Sequence, residues 1–213
     1  MARPSDLPAP DDAALTQAGL PPSGKGRVLI LACGAIAREV IALTGHLPHI
    51  DLQCLPAILH NHPDRITPAV EDAIAARRDH YETIFVAYAD CGTGGHLQTA
   101  CERLGVEMIA GPHCYSFFEG NADFADRDEI DAFYLTDFLA RQFDAFVTRP
   151  LGLDRHPELA GMYFGNYRKL VYLAQTDDAQ MTEKAMSCAA KLDLDFERRF
   201  TGYGDLAKAL NAL

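Results

Sequence analysis

One stretch near the start of the sequence decides the fold: Arg27-Val-Leu-Ile-Leu-Ala-Cys33, followed directly by Gly34. An uninterrupted run of aliphatic side chains is typical of a strand that is buried on both faces of a sheet. Gly34 then opens a helical pattern of apolar residues at Ile36, Val40 and Leu43. The stretch therefore predicts a strand, a tight turn and a helix.

The same unit recurs along the chain. Helical patterns separate further strand-like segments, which lie at residues 50–59, 83–89, 106–110, 169–174 and 194–200. Strands that alternate with helices imply right-handed crossovers and a mainly parallel sheet. We therefore expect a single α/β domain over residues 27–213, built as a three-layer α/β/α sandwich with a mainly parallel, Rossmann-like sheet.

Two segments depart from this pattern. Residues 131–146 carry Phe138, Phe143 and other apolar side chains at helical spacing, which predicts one long amphipathic helix. Residues 1–26 contain prolines, acidic residues and no sustained apolar period, so they are interpreted as a flexible tail. Deletion of such a tail is expected to leave the melting transition nearly unchanged.

The composition restricts the partners that we expect. Among 213 residues, 30 acidic and 19 basic side chains give a net charge of −11, which repels nucleic acid and anionic membranes. The sequence shows neither a secretory signal pattern nor an apolar run of bilayer length. We expect a cytoplasmic protein that binds a small-molecule substrate or another protein, and the sequence leaves a homo-oligomer open.

Six cysteines in a reducing compartment are expected to be free thiols, metal ligands or catalytic groups. Cys33, Cys91 and Cys114 each follow a predicted strand, so we expect them to meet at the carboxyl edge of the sheet, where α/β proteins bind ligands. Thiolate and imidazole suit zinc, and His113 adjoins Cys114. The predicted metal ligands are therefore Cys33, Cys91, His113 and Cys114.

Each cysteine also fits a simpler interpretation as a small buried residue where a strand meets a helix. Cys54, Cys101 and Cys188 lie inside predicted strands or helices and are interpreted in that way. The sequence contains no Cys-x-x-Cys pair that would favour a metal over a reactive thiol. The segment His60-Asn-His-Pro-Asp64 follows the second strand and is a weaker candidate for a ligand or a polar wall.

The loop Asp90-Cys-Gly-Thr-Gly-Gly95 is the most informative segment, because glycines allow a backbone to approach a ligand and to form an anion-binding nest. We predict that it binds a carboxylate or phosphate of a cofactor or substrate through Gly92, Thr93, Gly94 and Gly95. An ordinary turn from strand to helix is the alternative. Neither a P-loop nor a full dinucleotide fingerprint is present, so no nucleotide is expected.

Two carboxylates are the predicted catalytic residues. Asp90 would orient a ligand or act as a base, because it stands directly before Cys91. Glu119 follows His113-Cys114 at a short helical distance and would serve as a proton acceptor or as an alternate ligand.

Several of these segments together resemble one protein family. They are Leu31-Ala-Cys-Gly34, Asp90-Cys-Gly-Thr-Gly-Gly95, Gly111-Pro-His-Cys-Tyr115, Tyr134-Leu-Thr-Asp-Phe138, Leu151-Gly-Leu-Asp-Arg-His-Pro157 and Tyr172-Leu-Ala-Gln175. The combination is similar to the uncharacterised bacterial and archaeal family known as domain of unknown function 1638. The resemblance implies no established reaction. Members are often encoded near corrinoid-dependent methyltransferase systems, which implies a supporting role in one-carbon metabolism and a methyltransferase-system protein as a partner.

Three functions compete at this point. The first is a metal-dependent enzyme or methyl-transfer accessory that uses zinc at the strand ends. The second is a metal-free racemase or isomerase in which Cys91 and Cys114 face opposite sides of a bound carbon acid, although the Cys-Asn-Thr context of such enzymes is absent. The third is a non-enzymatic module that binds or delivers a corrinoid or metal cofactor. The Asp-x-His-x-x-Gly pattern of corrinoid ligation is not evident, which favours delivery through protein contact.

Overall fold

A computed structural model describes residues 10–213, and the chain divides into two compact units. The first comprises the described residues up to Cys114 together with Asp205–Leu213, and the second comprises Tyr115–Gly204. Each unit contains its own parallel sheet. The predicted α/β class with mainly parallel strands is confirmed, whereas the single sheet that we expected is divided into two.

Four parallel strands form the sheet of the first unit, in the order β2-β1-β3-β4. They are β1 (Val28–Cys33), β2 (Ile50–Leu55), β3 (Thr83–Ala87) and β4 (Glu107–Met108). The central strand β1 is buried from Leu29 to Cys33, as expected for a strand that is covered on both faces. The strand order reverses direction between β1 and β3, and such a switch point is where open parallel sheets bind ligands.

Three parallel strands form the sheet of the second unit, in the order β5-β6-β7. They are β5 (Ala132–Thr136), β6 (Lys169–Ala174) and β7 (Asp195–Phe200). The central strand β6 is buried from Leu170 to Ala174. Leu170 and Tyr172 pack with Phe143 and Phe164 in the main apolar cluster of this unit.

Helices connect and flank these strands. In the described chain, the α-helices are α1 (Asp12–Gln17), α2 (Ala37–Thr44), α3 (Ile66–Arg77), α4 (His96–Leu104), α5 (Cys114–Glu119), α6 (Asn121–Arg127), α7 (Asp137–Arg141), α8 (Ala160–Phe164), α9 (Ala179–Lys191) and α10 (Gly204–Leu210). Short 3₁₀ turns at Ala57–Asn61 and Pro63–Arg65 lead from β2 into α3. Over residues 10–213, no helix combines the length and the hydrophobicity that a membrane span requires.

The prediction of one long helix over residues 131–146 is wrong, because β5 occupies the first part of that segment. The helix α7 begins only after Thr136, whose side chain accepts a hydrogen bond from the backbone N–H of Leu139. Thr136 thus ends the strand and caps the helix. The aromatic spacing in this segment arises from a strand followed by a helix, which periodicity alone does not separate.

The N-terminal segment is more ordered than the predicted tail. Leu15 of α1 is buried, and Leu20 pairs with Cys54 of β2 through two backbone hydrogen bonds. Asp51 accepts further backbone hydrogen bonds from Ser23 and its neighbour. These contacts attach residues 10–24 to the first unit, so the expectation of a flexible tail does not describe them. Residues 1–9 lie outside the described part of the chain.

Candidate metal centre

Three residues that commonly bind metal ions meet in the first unit: His60, Cys91 and Cys114. Each offers one ligand atom, and these atoms all lie within 4.8 Å of one another. The Sγ atoms of Cys91 and Cys114 are 3.4 Å apart, and both side chains are buried. We call these three residues the Cys–His centre. The arrangement can hold a metal ion, because thiolate and imidazole are the ligands that zinc and similar ions prefer.

The sheet positions all three ligands at the carboxyl ends of its strands. His60 lies in the 3₁₀ turn after β2, Cys91 follows β3, and Cys114 begins α5 after β4. The loop after β3 is held against the loop after β4, because the backbone N–H of Cys91 donates to the carbonyl oxygen of Pro112 at 3.1 Å. Residues that are distant in sequence therefore reach one point, as the parallel topology predicts.

Cys91 has a backbone conformation that is unusual for a residue with a side chain. Its φ angle is +48°, in the left-handed region. Non-glycine residues in this region carry a conformational cost and cluster at functional sites. The following residue, Gly92, has a φ angle of +84°, and a Cβ atom there would be in van der Waals contact with Cγ of Pro63 at 3.4 Å. The loop therefore approaches the segment after His60 closely while it directs the Cys91 side chain toward Cys114.

Cys33, a predicted ligand, contacts the ring of His60. Its Sγ lies 3.7 Å from Nδ1 of His60 and accepts a hydrogen bond from the backbone N–H of Ala35 at 3.4 Å. Cys33 thus lies next to the Cys–His centre and supports the orientation of one ligand.

The two thiols of the centre have opposite pKa shifts. The hydrogen bond with Cys114 lowers the pKa of Cys91, burial opposes this effect, and His60 adds to it. The same hydrogen bond and burial raise the pKa of Cys114. Burial lowers the pKa of His60, but the neighbouring thiols Cys33 and Cys91 outweigh it and raise the pKa well above its ordinary value. Cys91 is therefore the sulfur that ionises first, and the thiolate is the form that binds metals.

Tyr88 lies in the same buried region as these thiols. Its side chain is fully buried, and its hydroxyl forms no hydrogen bond of normal geometry with the described residues. Burial raises the pKa of Tyr88, and the nearby thiols of Cys33, Cys114 and Cys91 raise it further. A buried hydroxyl without a good partner is costly. Its presence beside the Cys–His centre therefore favours a bound group that would complete its hydrogen bonding.

The glycine-rich loop binds its own aspartate. The backbone N–H of Gly95 donates to Asp90 at 2.6 Å, that of Gly94 at 3.2 Å, and the hydroxyl of Thr93 at 2.8 Å. These bonds, led by the one from Gly95, lower the pKa of Asp90. We predicted that Gly92, Thr93, Gly94 and Gly95 form a nest for an external anion. The loop instead binds the carboxylate of Asp90. In this conformation Asp90 shapes the loop.

The two remaining predicted residues lie outside the Cys–His centre. Glu119 belongs to the second unit, where its Oε1 pairs with Arg127 at 2.5 Å and with Arg199 at 3.2 Å. His113 directly precedes Cys114 and is partly buried, but the imidazole of the ligand group comes from His60. The sequence does contain a signal that could have identified His60, because this residue follows a strand at the same edge of the sheet as the cysteines.

A cavity of about 590 Å³ lies beside the loops that carry two of the ligands. Its lining includes Pro63 and Asp64 from the segment after His60, and Gly92 and Thr93 from the segment after Cys91. Side chains of α3 and α4 complete its wall. The volume is in the range that small-molecule sites occupy.

These features define an α/β protein with a buried cysteine–histidine group at the switch point of a parallel sheet. The family model described as a protein of unknown function, DUF1638, matches residues 54–210, and the chain belongs to this family. The matched range contains His60, Cys91 and Cys114, whereas Cys33 precedes it. Searches of curated proteins and of solved structures found no match.

Proposed function

We propose that the protein binds a zinc ion through His60, Cys91 and Cys114 and leaves one coordination position open for a substrate. The observation that supports this proposal is the approach of two buried sulfur atoms and one imidazole nitrogen to within 4.8 Å of one another. Three protein ligands and one open position are typical of catalytic zinc, and two cysteines with one histidine form one of the known ligand sets. Structural zinc sites usually have four protein ligands instead.

The distance between the two sulfur atoms favours a metal over a racemase. Two thiolates on a tetrahedral zinc ion, each about 2.3 Å from it, are about 3.8 Å apart. The observed 3.4 Å is close to that value. A carbon acid between two thiols would need contacts of about 3–3.5 Å on each side, or about 6–7 Å between the sulfurs. The contact between Cys91 and Cys114 leaves no room for such a carbon.

A bound zinc ion would stabilise the anionic form of a thiol or a water molecule at the open position. The chain's own residues support the thiol as the preferred substrate class, because two sulfur ligands make the site soft and its surroundings are buried. The Tyr88 hydroxyl would donate a hydrogen bond to the anion. A methyl-accepting thiol would use this chemistry, so a supporting role in corrinoid-linked methyl transfer forms part of the proposal.

Metal analysis of anaerobically purified, untagged protein tests the proposal. Wild-type protein is expected to retain zinc, and His60→Ala and Cys91→Ser are each expected to reduce zinc to background. His113→Ala and Cys101→Ser are the matched controls, because His113 is next to a ligand in sequence and Cys101 is a buried thiol of α4. Zinc retained in both ligand variants, or absent from wild-type protein supplied with zinc, would overturn the proposal.

A second measurement separates an enzyme from a non-enzymatic module that delivers a metal or corrinoid cofactor. Zinc-loaded protein is mixed with a methyl donor and a thiol acceptor, and the methylated thiol is quantified. We expect turnover that His60→Ala abolishes and His113→Ala retains. Zinc binding without turnover, together with transfer of the ion to a chelating partner, would favour the delivery module.

A further inference from the structure

We propose that Cys91 and Cys114 form a reversible disulfide when the protein meets a peroxide, which makes this pair an oxidation site. The disulfide requires only the two thiols, whereas its effect on metal content rests on the proposed function. Oxidation would remove two of the three ligands at once. Metal binding and oxidation would therefore exclude each other.

The positions of the two sulfur atoms carry the inference. The Sγ atoms of Cys91 and Cys114 are already 3.4 Å apart, so bond formation requires an approach of only about 1.4 Å. The two loops are joined by backbone hydrogen bonds from Asp90 to Gly111 at 3.0 Å and from Cys91 to Pro112 at 3.1 Å. These bonds hold the two loops side by side and therefore keep the two sulfur atoms close together.

The backbone at Cys91 provides an independent argument. A φ angle of +48° directs a cysteine side chain toward a second thiol at a conformational cost that glycine would avoid. Cys101 and Cys188 provide the contrast, because both lie within α-helices. Burial raises the pKa of each of these two thiols to about 11. A packing role explains Cys101 and Cys188, but it does not require the close approach of Cys91 to Cys114.

The oxidant must be small, because both sulfur atoms are buried. In the first step the Cys91 thiolate attacks one peroxide oxygen, an S–O bond forms, and the O–O bond breaks. The departing hydroxide takes a proton, which gives water and a sulfenic acid at Cys91. In the second step the Cys114 sulfur attacks the Cys91 sulfur, the S–O bond breaks, and the hydroxide leaves with the Cys114 proton as water. Two thiols are oxidised to one disulfide while hydrogen peroxide is reduced to two molecules of water.

The test uses the full chain, stripped of metal under anaerobic conditions and titrated with hydrogen peroxide. Thiols are counted after denaturation, and disulfide-linked peptides are mapped by mass spectrometry without reduction. We expect the loss of two of the six thiols, one linkage between the peptides of Cys91 and Cys114, and full recovery with a dithiol reductant. Cys101→Ser is expected to form the same linkage, whereas Cys91→Ser and Cys114→Ala are not.

The outcomes separate this inference from the proposed function. A linkage to Cys33 or to another cysteine, or peroxide treatment that leaves all six thiols intact, would overturn the inference even if the protein binds zinc. A Cys91–Cys114 linkage supports it even if no zinc binds. Where zinc binds, preloading should slow the loss of thiols, and oxidised protein should lose its zinc to a chromogenic chelator. Zinc retained on fully oxidised protein would contradict mutual exclusion.

Discussion

Each unit of the protein contains a buried or partly buried polar cluster, and the two clusters differ in how completely their polar groups pair with one another. In the second unit, Arg199 and Lys169 bond to the carboxylates of Glu119, Glu129 and Glu197, a set that we call the Arg199 network. Opposite charges meet there at 2.6–3.2 Å. In the Cys–His centre of the first unit, the thiols of Cys91 and Cys114 share one hydrogen bond. The nearby Tyr88 hydroxyl forms no hydrogen bond of normal geometry with the described residues.

The comparison separates a cluster whose charges pair within the protein from a cluster that could hold a metal ion. In the Arg199 network, the hydrogen bond from Arg199 lowers the pKa of Glu129, burial opposes this effect, and Lys169 adds to it. Arg127 also pairs with Glu119, so three cations meet three carboxylates and the charges balance without any external group. Oε2 of Glu119 is buried without a hydrogen-bond partner among the described residues. The Cys–His centre instead brings together three groups that can each bind a metal ion, and it lies at the strand ends where open parallel sheets bind ligands.

Removal of the central cation of the Arg199 network should have the largest effect. Arg199→Met removes charge-assisted contacts to three partly buried carboxylates, while Lys169 still pairs with Glu129 and Glu197, so the loss should be about 3 kcal/mol. Urea denaturation would measure this loss in the free energy of unfolding. Arg168→Met is the control: its exposed side chain lies 3.8 Å from Asp131, so a change within about 0.5 kcal/mol is expected. A loss below about 1 kcal/mol for Arg199→Met would show that the network behaves like a surface ion pair.

Zinc should change stability through the Cys–His centre alone. An ion that binds only the folded protein stabilises it by about 2.7 kcal/mol when its free concentration is a hundred times the Kd. We expect this gain in wild-type protein and in Arg199→Met, where the latter still folds, but not in Cys91→Ser. The free energy of unfolding with and without zinc gives the comparison. An equal gain in Cys91→Ser would place the stabilising ion elsewhere.

Two fully buried tyrosines offer a matched test of satisfied and unsatisfied hydroxyls. The Tyr172 hydroxyl donates to Asp137 at 2.6 Å, whereas the Tyr88 hydroxyl forms no normal hydrogen bond. Tyr172→Phe should cost about 1–3 kcal/mol, because Asp137 loses a donor inside the protein. In metal-free protein, Tyr88→Phe should leave stability within about 0.5 kcal/mol or raise it, since only a weak interaction with the Cys33 thiol is lost. Equal losses in the two variants, measured by urea denaturation, would remove the proposed difference between the clusters.

Sequence reasoning reached the edge of the sheet but not the full ligand set. The strand-end rule brought Cys33, Cys91 and Cys114 to one edge, because it depends only on parallel topology. It favoured His113 over His60, since adjacency to Cys114 in sequence suggested adjacency in space. The direction of a side chain within a turn decides which histidine reaches the thiols, and a sequence pattern does not specify that direction.

The Arg199 network could not be predicted from the sequence, because its members are far apart along the chain. Glu119 and Arg199 are 80 positions apart, and no local period connects them. Glu119 was therefore interpreted through its nearest notable neighbours, His113 and Cys114, as a catalytic group. Long-range ion pairs depend on how loops and edge strands meet, which charge patterning along the chain does not specify. The division into two sheets was not predicted either, because strand pairing is also a long-range contact that local patterns do not specify.

The smallest predicted effect concerns a hydrogen-bonded carboxylate in the first unit. It tests whether well-paired polar groups are confined to the second unit. The first unit also contains a well-bonded carboxylate, Asp51, which accepts from the backbone N–H groups of Ser23 and Gly24 and from the Tyr81 hydroxyl at 2.6–2.8 Å. Burial raises the pKa of Asp51, but these hydrogen bonds outweigh it, so the net pKa is lowered. Asp51→Asn, which keeps one acceptor oxygen, should cost about 1 kcal/mol at pH 7.

The pH dependence of that cost has a definite sign. A carboxyl with a lowered pKa in the folded protein stabilises it above the unfolded pKa of about 3.9, and this contribution is lost as the pH falls through the folded value. The difference between wild-type protein and Asp51→Asn should therefore shrink below about pH 4. Glu82→Gln, an exposed acid-to-amide change in the same unit, should show little difference at neutral pH. A cost for Asp51→Asn that does not depend on pH would mean that packing of the N-terminal segment, and not the charge, provides the stabilisation.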